Sequence, residues 1–169
     1  MVAFKSTLTH LLSCFDAVYQ GLGESAPLFT NDANVVRVHE MSRTFGEVAL
    51  QMREHLDEPA VEPLGIITHV LSEALADDQS GALTLYVMAL VVGPRLLVSL
   101  RDAREAPGAD DVRGLLDHAS QVTVREVLSI SEVAQDERII EDPRWQARAR
   151  ALMTEVEKAG NAESFGISR

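Results

Sequence analysis

The side chains able to do chemistry are few and scattered. There are five histidines, at His10, His39, His55, His69 and His118, and one cysteine, Cys14. A di-iron bundle needs a Glu from each of two helices and a Glu-x-x-His turn from each of two others. No Glu-x-x-His occurs in the chain, and no two histidines stand in a His-x3-His pair. His10 and Cys14 are four apart and share a helix face, but two ligands do not make a zinc site. A single cysteine excludes an internal disulfide and a thiolate framework. Cys14 reads as a small core residue. No metal is expected, and no cofactor.

Two histidines sit in helical contexts worth testing. His69 lies in the apolar run "GIITHVLSEAL", where an imidazole could serve as an axial haem ligand or bond to a neighbour inside a core. His39 lies in "VRVHEMSRTFGEVAL". A helical histidine followed by small and basic residues resembles a phosphotransfer domain, whose imidazole accepts a phosphoryl group. That family carries Lys three residues on and Gly four on. Here those positions hold Ser42 and Arg43, so no residue role is carried over. The chain has no Gly-x-Ser-x-Gly elbow, no P-loop and no Gly-x-Gly-x-x-Gly.

Arg95 is the first candidate for a ligand contact. It follows a Gly-Pro break and is flanked by Leu96, Leu97 and Val98. A guanidinium aimed into a bundle needs an anionic partner or ligand; otherwise its stem lies along apolar surface and its head reaches water. Tyr86 and His69 are the candidates to share a cavity with it. Trp145, in the first turn of a helix, reads as a core anchor.

The elements that must position these groups are helices. Phe4, Leu8, Leu11, Leu12, Phe15, Val18 and Tyr19 fall on one face of a helix from Val2 to about Tyr19, ended by "GLGES" and Pro27. A second helix starts near Thr30 to Asp32. Its seam of Val35, Val38, Met41, Phe45, Val48 and Met52 is close to a heptad pattern and could face its own bundle or a second copy. Pro63 suits the first turn of a third helix reaching Leu75. After "APGADD", Asp110 or Asp111 can cap a helix carrying Val112, Leu115, Leu116, Ala119 and Val122. "VTVREVLSI" is rich in β-branched residues, but no second strand candidate exists to pair with it, so 122–130 is read as helix. Ser129 and Glu132 have capping-box spacing for a restart. Asp142 and Pro143 mark the last helix.

The most apolar stretch is "GALTLYVMALVVGPRLLVSL", Gly81 to Leu100. Its uninterrupted apolar part, Ala82 to Val92, falls short of the ~20 residues a spanning helix needs. Arg95 would then sit within lipid at a cost of about 2.5–3.5 kcal/mol. An apolar helix with no polar face suits the centre of a bundle better. The N-terminus has no continuous apolar region with a small-residue cleavage site, so no signal peptide is expected.

Together these features give an all-α, single-domain bundle of six or seven helices around a buried central helix, over 1–160, with 161–169 a flexible tail. The formal charge of -11 repels phosphate backbones and anionic headgroups, so neither nucleic acid nor membrane is an expected partner. Val112 to Arg150 carries no basic recognition face for a helix-turn-helix. A cytoplasmic location is expected from the lack of disulfides. The expected role is non-catalytic: a helical module that binds a partner protein or a small apolar or anionic ligand, in a regulatory, sensor or immunity-like capacity. Self-association through Val38, Met41, Phe45, Val48 and Met52 is the expected route to a homodimer. The alternative is a helical-bundle enzyme or a haem-type cofactor protein.

Overall fold

A computed structural model describes residues 2–56, 82–144, 146–148, 150, 151, 154 and 158. Among these, five α-helices are delimited and no strand occurs. They are α1 (Val2–Ser25), α2 (Asp32–Glu54), α3 (Ala82–Val87), α4 (Gly93–Glu105) and α5 (Arg113–Asp136). The expected count of six or seven is thus corrected to five among the described residues. The helix expected from Pro63 to Leu75 lies outside them, as do Trp145 and the tail at 161–169.

α1 runs one and a half turns past the expected stop at Tyr19. Leu22 has no solvent exposure, and Ser25 Oγ donates to the Leu22 carbonyl. Burial of an apolar residue in the added turn outweighs the weak helix propensity of Gly21 and Gly23. The chain breaks instead at the 3-10 turn Ala26–Leu28, where Pro27 fits an early helical position. Asn31 caps α2: its side chain accepts from the Ala33 N–H.

α1 and α2 lie antiparallel. Arg53 pairs with Asp16 at 2.9 Å, the Phe45 ring packs tilted against Phe15, and Ser42 Oγ donates to the Tyr19 carbonyl at 2.7 Å. Partners therefore climb one helix as they descend the other. The expected seam is spent here: Val38, Met41, Phe45, Val48 and Met52 are all at most 2% exposed, within their own chain. Val35, at the start of the same seam, is half-buried.

Pro94 neither ends its helix nor starts an isolated one. Its ring would collide with the carbonyl four residues back, and it has no N–H to offer. A π-turn over Met88–Val92 absorbs the mismatch, with the Gly93 N–H reaching back to the Met88 carbonyl. The helical run thus continues from α3 into α4. Leu85, Val87, Met88, Val92, Leu96 and Leu100 along it have no solvent exposure. Gly93 is required there: a Cβ would lie 2.5 Å from a Val127 methyl and 3.0 Å from the Met88 carbonyl oxygen.

α4 and α5 form a second antiparallel pair, closed by a turn at Gly108, whose φ of 91° favours glycine. Asp110 and Asp111 do not cap α5. Asp110 pairs instead with Arg113, one turn on, at 2.7 Å. α5 is unbroken, so the restart expected at Ser129 and Glu132 does not occur. The β-branched stretch fits a helix because Val122, Thr123, Ile130 and Val133 fall on one buried face. Thr123 and Ser131 donate to carbonyls four residues back, as helical hydroxyls do.

α5 ends on Arg138 in the left-handed region, φ 59°. Asp142 then caps the next turn by accepting from the Arg144 N–H. The Arg144 guanidinium and that N–H hold the Asp142 carboxyl below its ordinary value of 3.8. The cap is complete above that value and is lost as pH falls through the lowered one. No helix among the described residues is long and apolar enough to cross a membrane.

Candidate functional site

α2 also lies antiparallel to α5, and this contact is polar. The buried Asn34 amide donates to Asp136 at 2.7 Å and to Glu137 at 2.6 Å. Asn31 adds a bond to Asp136 and Thr30 one to Glu137. Two carboxylates are thereby held at the N-terminus of α2, where the helix dipole favours negative charge. One turn on, Arg37 pairs with Glu132 at 2.8 Å.

Farther along α2 the two flanking helices draw away at the surface and leave two clefts. The first, about 440 Å³, lies between α1 and α2 and is lined by Tyr19, Gln20, Glu24, His39, Ser42 and Arg43. Glycines let the two helices approach closely beside it. A Cβ on Gly46 would fall 2.7 Å from the Tyr19 ring, and one on Gly23 would fall 3.2 Å from Ser42 Oγ. The Tyr19 ring therefore packs against Gly46 and is 44% exposed. The second cleft, about 280 Å³, lies between α2 and α5 and is lined by Arg37, Glu40, Arg43, Thr44, Glu126 and Ser129, among others.

Arg43 belongs to both clefts. Seven other described arginines are held in ion pairs with carboxylates. Arg43 has none among the described residues, although Glu40 and Glu47 stand at helical spacing on the same helix. An exposed His39 sits one turn before it. A free guanidinium and an imidazole along one cleft can hold a carboxylate or phosphate, while the Ser42 hydroxyl is already spent on the Tyr19 carbonyl. The Tyr19 ring offers a flat apolar wall beside them.

Arg95, Tyr86 and His69 are not among the residues lining these two clefts. Arg95 on α4 is half-buried, with no ion pair among the described residues. Tyr86 is placed on α3 by its backbone alone, and His69 lies outside the described residues. The pocket expected to join the three is not among the clefts described. Cys14 is buried in the core, where loss of hydration pushes its thiol up to about 12. His10 Nε2 approaches its sulfur at 3.8 Å. A thiol that stays neutral at physiological pH is no nucleophile. Among the described residues, no three His, Cys, Asp or Glu side chains gather as a metal site.

The signal for the cleft was present in "HEMSR". His39 and Arg43 are four apart and must share a face. What the sequence did not contain was the partner wall from α1. No protein-family model matches this chain, no curated protein matches it, and no solved structure matches its fold.

Proposed function

We propose that the chain is a non-catalytic binding module, built around Ala82–Val92 as its spine, that takes a small anionic ligand in the α1–α2 cleft. The ligand class has two parts: a carboxylate or phosphate for Arg43 and His39, and a flat apolar body for the Tyr19 face. The observation that carries this reading is that Arg43, which like Arg95, Arg138 and Arg150 has no ion pair among the described residues, also lines a cleft, in a chain of charge -11. An unpartnered guanidinium on a cleft wall is available to an incoming anion without first breaking an ion pair. The full burial of Leu85, Val87, Met88 and Val92 supports the spine.

The test is native mass spectrometry of protein purified from its own cells, alongside Arg43→Ala purified in the same way. A retained small anion on the parent protein, absent from the variant, is the expected result. A bare parent protein that also shows no thermal shift in a panel of aromatic carboxylates and phosphates would sink the proposal.

A partner protein is the second reading. Val124 and Leu128 stand one turn apart on α5 and are 47% and 62% exposed. The net negative charge favours a basic partner there. A complex that weakens with salt and with Leu128→Ser would support this reading over the first.

A further inference from the structure

The α2–α5 cleft has a chemistry different from that of its neighbour. It presents cations and anions together: Arg37 and Arg43 on one side of the charge balance, Glu40 and Glu126 on the other. Thr44 and Ser129 add hydroxyls. Glu126 is the unusual member. Its side chain is only 10% exposed, and a carboxylate so far withdrawn from water needs compensation. Arg125 supplies part of it, donating from Nε to Oε1 at 2.8 Å. Oε2 makes no hydrogen bond among the described residues. Arg37 is partly engaged by Glu132, whereas Arg43 is free.

We propose that this cleft binds a small zwitterion of the α-amino-acid class. The ligand's carboxylate docks on Arg43, and its ammonium group donates to Glu126 Oε2, with the two hydroxyls completing the shell. The pairing follows from complementarity. An anion alone would be repelled by Glu40 and Glu126, and a cation alone by the arginines. A molecule carrying both charges a few bonds apart satisfies each wall. A cleft of about 280 Å³ also suits a ligand of this size. The site is distinct from the α1–α2 cleft, although the two share Arg43.

The test is a thermal-shift screen of the full chain against each of the twenty common amino acids, followed by calorimetry with the one that gives the largest shift. Its N-acetyl and amide derivatives, each lacking one of the two charges, are titrated beside it. The expected result is that both derivatives and Glu126→Gln bind about tenfold or more weaker than the parent pair, as loss of a charged hydrogen bond implies. Glu40→Gln, at an exposed position, gives a second variant whose folding is not at issue; it too binds more weakly. His39→Ala, which lines only the other cleft, leaves amino-acid binding unchanged while weakening any anion bound there. No shift with any amino acid overturns the proposal. So does an N-acetyl derivative that binds as well as its parent.

Discussion

The two sides of α2 solve different problems. Toward α1 the helix buries Phe45, whose ring sits 5.6 Å from that of Phe15. Toward α5 it meets carboxylates through Asn34 and Arg37, then opens into a cleft. Apolar contact is non-directional and holds wherever area is removed from water. Polar contact is directional, so it fixes register and leaves specific groups facing solvent. The α1 side is therefore the source of cohesion. The α5 side, and the rim shared by both, is where polar groups face the clefts.

Substitutions along α2 should separate these roles. Phe45→Ala is the largest expected effect, about 3–5 kcal/mol of lost stability, because a fully buried ring leaves a cavity. A lowered urea midpoint at unchanged slope measures it. Asn34→Ala comes next, at about 1–3 kcal/mol, since two carboxylates lose a shared donor. If the same unfolding curve barely moves, the polar side of α2 is not a structural clasp.

Arg138→Gly sharpens the comparison from the other direction. Glycine at the left-handed position ending α5 should raise stability by up to about 1 kcal/mol. A gain in thermal midpoint would show that the stop sequence after Glu137 is tolerated strain. Arg37→Ala is the smallest change, within about 1 kcal/mol, because its pair with Glu132 is largely exposed. The effect should shrink further in high salt. A large, salt-resistant loss would mean that the two sides of α2 do not differ as described.

Much of the fold was legible one element at a time. The heptad-like seam of α2 and the face of α1, except for the 44% exposed Tyr19, follow from periodicity, because 3.6 residues per turn puts those side chains on one stripe. Asn31, Asp142 and Pro143 mark helix starts for local reasons that need no tertiary partner. The errors came where distant contacts overrode local signals. Gly21 and Gly23 suggested a stop, but Leu22 is buried and the helix continues. Ser129 and Glu132 had capping spacing, but α5 runs through them.

By itself, then, the sequence determined an all-helical chain, the stripe each helix would bury, and several of the points where helices begin. These depend on neighbours within a turn or two. Only the tertiary structure decided that α2 buries its seam within its own chain, and that Arg43 stands at the meeting of two clefts. Those outcomes depend on which distant side chains arrive within a few ångströms, a quantity that helical periodicity does not contain.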